Sequence, residues 1–180
     1  MTPFDPCLHG WRFPNHFTVG PVVYGLCGGM VFGALDYWRA GVPIPTDRQP
    51  TPALWRCLMR RQLDSMSGPT LATLWRMMRL DETYRLDWAR NAYLTAGAML
   101  EIDNIPVPLV LVRGHGLRDV TQNHQVLAVD FDDERLLVYD PNHPGETCCL
   151  SWPGEVLLHS HDGEQRGMFV QEYEAREVKA

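Results

Sequence analysis

The apolar pattern of the sequence changes from helical to strand-like near residue 105, and this change restricts the fold more than any other feature. In Val31–Trp38 the apolar residues recur at the helical period, and Gly41 followed by prolines gives a stop signal. A helix is therefore predicted to begin at Cys27 and to end near Gly41. Further helices are predicted over 52–62, 71–78 and 88–102, with breaks near 68–69 and across 81–87.

The second half of the sequence has short apolar runs separated by turn-forming residues, which is typical of strands. Helices followed by a series of neighbouring strands predict an α+β fold with an antiparallel sheet. We expect one domain over 1–180, with a helical half at about 20–104 and a sheet half at about 105–175. The predicted strands are 107–113, 125–131, 136–139, 147–152 and 168–173.

The charge and the apolar runs exclude two classes of partner. A net charge of −6 and a pI near 5.6 argue against a nucleic-acid-binding protein. The arginines Arg56, Arg60 and Arg61 are expected on a solvated helix face. The apolar run Val107–Val112 is much shorter than a membrane span requires. No signal-peptide pattern is present at the N-terminus, so the cytoplasm is the default prediction, with specialised export left open.

The five cysteines have no spacing typical of a disulfide framework or a zinc site. We expect reduced thiols, no metal and no cofactor. Cys148 and Cys149 are adjacent in a strand and should point to opposite faces. His159 and His161 could share a strand face, but the sequence offers no further ligand beside them, so they are expected at the surface.

The segment Gly25–Met30 (Gly-Leu-Cys-Gly-Gly-Met) places Cys27 at the start of a predicted helix. The N-terminus of a helix stabilises a thiolate through unpaired N–H groups and the positive end of the helix dipole. The glycines would let a substrate carbonyl approach the backbone, where N–H groups could bind an oxyanion. The alternative is a buried structural cysteine in a glycine-rich turn.

His124 and Asp140 are the best candidates for the partners of a reactive cysteine. His124 opens an apolar strand, and Asp140 closes the next strand, so a hairpin would bring the two side by side. A histidine can act as the base, and a carboxylate can fix its tautomer. His115, in a loop between glycines, is the reserve candidate. Taken singly, a strand-end histidine and an Asp-Pro turn are more often structural.

The order of these residues resembles the papain-like cysteine peptidase superfamily, especially its bacterial peptidase-C39-like and related uncharacterised branches. The resemblance rests on Cys27 at a helix start, the strand of Pro106–Val112, His124, and the Tyr-Asp-Pro-Asn turn of Tyr139–Asn142. It covers roughly residues 20–150. The resemblance implies a Cys27–His124–Asp140 triad.

The sequence departs from that family at one position. Many papain-like enzymes have a Gln shortly before the nucleophile as an oxyanion donor. This sequence has Pro21 there and no Gln anywhere before Cys27. We expect the amide of Asn15 and the backbone N–H at Gly28 to serve as the oxyanion hole.

These residues together predict a cysteine hydrolase, and the resemblance implies a peptide or protein substrate cleaved at a peptide, isopeptide or related amide bond. Acyl transfer and peptidoglycan amide cleavage would use the same triad. A catalytically inactive papain-like binding module remains an open alternative. A metal-binding protein that uses Cys148, Cys149, His159 and His161 is the weakest hypothesis. The sequence leaves the oligomeric state open, as it does the role of the helical segment 48–90.

Overall fold

The computed structural model describes residues 2–132 and 134–178, which form an α+β fold with antiparallel strands. None of the helices in these ranges is both long and apolar enough to cross a lipid bilayer. The helices are α1 (Pro6–His9), α2 (Cys27–Ala40), α3 (Pro52–Ser65), α4 (Gly68–Arg79) and α5 (Glu82–Asp103), and Leu117–Gln122 forms a 3₁₀ turn. The strands are β1 (Phe17–Val19), β2 (Val22–Tyr24), β3 (Val107–Val112), β4 (His124–Asp132), β5 (Arg135–Tyr139), β6 (Thr147–Ser151), β7 (Leu157–His159), β8 (Gly163–Gln165) and β9 (Gly167–Val170).

The predicted helix from Cys27 is confirmed, and Gly41 ends it in the left-handed conformation. The break predicted near 68–69 is confirmed, and it lies at Met66 and Ser67, between α3 and α4. Ser67 caps α4 there with its hydroxyl, and the proline falls in the first turn, where its missing N–H costs nothing. The break predicted across 81–87 is too long. Helix α5 begins at Glu82, directly after its N-cap Asp81. The short strands β7 and β8 were not predicted.

The main sheet separates two hydrophobic clusters. Its strand order is β8-β7-β6-β5-β4-β3-β9, and every pairing is antiparallel. Along β4, Leu127 and Val129 belong to the cluster that contains α2 and α3. Val126 and Ala128 belong to the cluster that contains α4 and α5. This alternation follows the two-residue period of a strand. The helices of the first half therefore lie on both faces of the sheet.

Helices α2 and α3 approach each other closely at Gly29. A Cβ atom at this position would meet the backbone carbonyl oxygen of Leu58 and would lie 3.0 Å from the backbone nitrogen of Gln62. The N–H of Gly29 donates to Gln62 Oε1 at 2.9 Å. The glycine thus permits a helix contact that holds the first turn of α2 in place.

A buried ion pair between α2 and α3 fastens the C-terminal segment. Arg61 Nε lies 2.8 Å from Asp36 Oδ2, and both side chains are buried. Tyr173 donates its hydroxyl to Asp36 Oδ1 at 2.5 Å, and the backbone N–H of Arg176 donates to the same oxygen. Because Arg61 is the centre of this contact, its predicted position on a solvated helix face is wrong. Arg56 and Arg60 are exposed, as expected.

We expect Gly29→Ala to lower the free energy of unfolding by about 1–3 kcal/mol, because the added methyl group overpacks the contact between α2 and α3. Urea or thermal unfolding followed by circular dichroism measures the change. Gly68→Ala is the matched control: no atom lies within 4 Å of its added Cβ. The control should stay within about 0.5 kcal/mol of the wild type. Equal losses in both variants would contradict a packing constraint at Gly29.

Candidate active site

Cys27 is the first residue of α2, and the N-terminus of this helix differs from the others. The N-cap residues of α1, α3, α4 and α5 each accept a backbone N–H with a side-chain oxygen, whereas the N-cap of α2 is Leu26. Among the α-helices in the described ranges, α2 alone has no side-chain cap. Asn15 and Gln62 accept the N–H groups of Leu26 and Gly29, so the N–H groups of Cys27 and Gly28 and the positive end of the dipole are left for the Cys27 sulfur and for a ligand.

The strand pairing of β4 with β5 brings His124 and Asp140 together, as the sequence predicts. His124 is the first residue of β4, and Asp140 follows the last residue of β5. His124 Nε2 lies 2.6 Å from Asp140 Oδ1, and both side chains are buried. The ring also lies close enough to Cys27 to lower the pKa of its thiol. Because Nε2 contacts Asp140, Nδ1 is the nitrogen left to face the thiol.

These contacts change the pKa of all three groups. Burial alone would raise the pKa of the Cys27 thiol, but the hydrogen bond with His124 and the charge of that ring lower it below its ordinary value. Burial opposes a charge on His124, yet Asp140 and Cys27 raise its pKa to about 9. Burial also opposes a charge on Asp140, but the close approach of two histidines holds its pKa far below its usual range. The arrangement favours a thiolate on Cys27 and an imidazolium on His124 as a pair.

The second of those histidines is His159, which sequence reasoning placed at the surface. It is buried, and its Nε2 lies 3.2 Å from Asp140 Oδ2. Its Nδ1 accepts the backbone N–H groups of His161 and Asp162, so the ring hydrogen must sit on Nε2, towards Asp140. His159 is therefore a positioning residue for the carboxylate. The apolar residues before it in β7 were the signal that its ring would be buried.

Asn15, the expected oxyanion donor, lies beside the start of α2. Its side chain lines the same cavity as Cys27, and its Oδ1 accepts the backbone N–H of Leu26. Its Nδ2 donates to Asn142 Oδ1 at 3.1 Å, which leaves the second amide hydrogen for a ligand. The N–H of Gly28 points at the Cys27 sulfur and helps to lower the pKa of the thiol.

A buried amide network behind the sulfur was missed from the sequence. Gln125 Oε1 lies 3.9 Å from Cys27 Sγ and accepts the hydroxyl of Ser65 at 3.2 Å. Gln125 Nε2 donates to Gln171 Oε1 at 2.6 Å. The network joins α3, β4 and the segment after β9, and so fixes the back wall of the cavity. A Gln inside an apolar strand was the available signal, because a buried amide needs partners.

Cys27 and His124 open onto a cavity of about 540 Å³. Beyond the two reactive residues, the cavity continues into an apolar groove that we call the α4 groove, lined by Leu71, Ala72, Leu74, Trp75, Met78 and Val120. The reserve candidate His115 lines a hollow beside Trp75 and is not among the residues of the Cys27 cavity. The structure therefore brings His124, and not His115, to the thiol.

Comparison of the chain with protein-family models, with curated proteins and with solved structures finds no match. The chemical interpretation of this site rests on its own geometry.

We expect Cys27 to react with iodoacetamide well below the pH at which ordinary thiols react, because His124 stabilises the thiolate. Labelling should be followed by mass spectrometry of individual peptides from pH 5 to pH 9. At pH 6, Cys27 should react faster than the exposed Cys57 by up to about tenfold for each pKa unit that separates them. In His124→Ala this advantage should disappear.

The other thiols of the same chain serve as internal references for the labelling experiment. Cys7 and Cys57 are exposed, and burial raises the pKa of the Cys148 thiol to about 12, so Cys148 should react last. Slow labelling of Cys27, unaffected by His124→Ala, would contradict an activated pair and would favour the inactive binding module.

Proposed function

We propose that this protein is a papain-like cysteine hydrolase that cleaves a peptide, isopeptide or related amide bond. The observation that supports this most strongly is the placement of His124 between the Cys27 thiol and the buried Asp140 carboxylate, at the mouth of a cavity. A nucleophile, a base and a residue that orients the base are the parts required for covalent acyl transfer. A cysteine with only a packing role would need neither an imidazole partner nor access to a cavity.

In the proposed mechanism the Cys27 thiolate attacks the carbonyl carbon of the substrate. The tetrahedral oxyanion is stabilised by backbone N–H groups at the start of α2 and by the amide of Asn15. The amine leaves with the proton held by the His124 imidazolium, and a thioester to Cys27 remains. His124 then takes a proton from water, and the resulting hydroxide attacks the thioester. The acid is released, and the thiolate–imidazolium pair is restored.

Asp140 stays ionised throughout this cycle. Its carboxylate accepts from His124 Nε2, which keeps Nδ1 directed at the thiol and compensates the positive ring. His159 holds the other carboxylate oxygen. Asp140 thus orients His124, and His159 in turn holds Asp140 in position.

The walls of the cleft indicate the chemical class of the substrate. Leu71 and Trp75 of α4 are 40% and 46% exposed, and both line the α4 groove. On the opposite side, Val23 of the β1–β2 hairpin lines the Cys27 cavity and is 57% exposed. Apolar side chains left open around one cleft are typical of a binding groove. We therefore expect the substrate to present an apolar segment close to the scissile bond.

We expect Cys27→Ala and His124→Ala each to lower kcat/KM by about 10⁴-fold or more, because each removes a group that forms or breaks bonds. A library of fluorogenic peptide amides gives the activity, and the melting temperature checks folding. Cys57→Ala, at an exposed cysteine on α3, is the matched control and should keep full activity. Retained activity in Cys27→Ala or His124→Ala would refute the mechanism.

The wild-type rate should also fall as the pH rises through about 9, where His124 loses its proton.

We expect Leu71→Asp to lower kcat/KM for apolar substrates by about 10- to 200-fold, since one apolar contact is worth about 1–3 kcal/mol. The loss should appear mainly in KM, because Leu71 lies away from the reacting atoms. Leu63→Asp is the control: Leu63 is 68% exposed on α3 and is not among the residues of the cavity or the α4 groove. Equal effects of the two variants would exclude a role for the α4 groove in substrate binding.

A further inference from the structure

A cluster of metal-ligand side chains lies beside the turn that follows Asp140. His143 and Glu146 belong to the turn between β5 and β6, and His161 belongs to the turn between β7 and β8. Each offers one ligand atom, and these atoms all lie within 4.8 Å of one another. His161 Nε2 is already 3.0 Å from Glu146 Oε2. The sheet order places β5, β6, β7 and β8 side by side, so the two turns are neighbours.

One ring nitrogen of each imidazole in this cluster also contacts a polar side chain outside the cluster. His143 Nε2 lies 3.3 Å from Asp162 Oδ1, which leaves Nδ1 for an ion. His161 Nδ1 lies 3.0 Å from the hydroxyl of Ser160, which leaves Nε2. Histidine ligands in metal sites characteristically give their second nitrogen to a carboxylate or another polar group, which fixes the tautomer and the orientation of the ring. These contacts orient both rings, whatever the spacing of the ligand atoms.

The turns that present the ligands are themselves well fixed. The backbone N–H of His143 donates to the carbonyl of Asp140 at 3.0 Å, and the N–H of Glu146 donates to the carbonyl of His143 at 3.3 Å. On the other turn, the buried His159 accepts the N–H groups of His161 and Asp162. Only small side-chain movements are needed to bring the ligand atoms to bonding distance of one ion.

We propose that His143, Glu146 and His161 bind one divalent transition-metal ion of the Zn²⁺ class. Two imidazoles and one carboxylate suit such an ion better than Mg²⁺ or Ca²⁺, which prefer ligand sets made only of oxygen. The three side chains are partly exposed, so an ion can enter and can keep water as its fourth ligand. The ion joins the turn between β5 and β6 to the turn between β7 and β8, and the Cys27 thiol is not one of its ligands.

Titration calorimetry of ZnCl₂ into tag-free Cys27→Ala protein tests the proposal. The Cys27→Ala substitution removes the Cys27 thiol as a competing ligand. It also makes the result independent of hydrolase activity. We expect one equivalent of Zn²⁺ to bind, and its addition to raise the melting temperature, because an ion that binds only the folded state stabilises it. MgCl₂ should give neither effect.

Three substitutions in the same background assign the ligands. His161→Ala and Glu146→Gln should each weaken Zn²⁺ binding by at least about tenfold, since even an outer-shell partner is worth that much. Glu146→Gln keeps the shape of an exposed side chain, so it remains informative if His161→Ala folds poorly. His16→Ala, at an exposed histidine in another loop, should bind as the background does.

Two outcomes would overturn the assignment. The first is the absence of a Zn²⁺ equivalent in the Cys27→Ala protein. The second is binding that survives Glu146→Gln and His161→Ala unchanged, which would place the ion elsewhere. Neither outcome bears on the proposed hydrolase mechanism, which the activity of Cys27→Ala and His124→Ala tests separately.

Discussion

The buried carboxylate of Asp140 is the interaction on which the site depends. A carboxylate removed from water is costly unless several donors compensate its charge. Here His124 and His159 approach its two oxygens, and the backbone N–H of Asn142 donates to Oδ1 at 2.7 Å. Those donors come from β4, from β7 and from the turn after β5, so satisfying one charge fixes three separate parts of the chain. The same contacts set the direction and the charge of the His124 ring.

The position of the thiol depends on a different constraint, the close packing of α2 on α3. Glycine at position 29 lets the helices touch, and Gln62 then accepts a backbone N–H from the first turn of α2. Leu26 provides no side-chain cap, so the N–H groups of Cys27 and Gly28 lie at the start of the helix without a capping oxygen. Helix packing thus fixes the position of the Cys27 thiol, and the hairpin of β4 and β5 fixes the position of the His124 ring.

The edge of the sheet formed by β6, β7 and β8 connects this site to the histidine cluster. His159 contacts Asp140 from the inside, while His161, two residues later, faces outwards beside His143 and Glu146. Asp162 extends the connection, since its second oxygen pairs with Arg113 at 2.7 Å. A short stretch of chain therefore contributes both to the orientation of the Asp140 carboxylate and to the proposed metal site. A change in either turn would alter the contacts of Asp140, because Asp140 begins the first turn and His159, which lies against Asp140, precedes the second.

Features that depend on a local pattern of residues can be predicted from this sequence. The helical period after Cys27, the stop at Gly41, and the strands that begin at His124 and end before Asp140 follow from neighbouring residues. The α+β class and the proximity of Cys27, His124 and Asp140 could therefore be predicted. Other features depend on contacts between distant segments. Arg61 has ordinary local surroundings and is buried only because the C-terminal segment and α2 cover it. The three-residue strands β7 and β8 are too short to show a period, and the ligand cluster forms only when their turn meets the turn after β5. Such contacts join residues far apart in the chain, and spacing along the sequence carries no information about them.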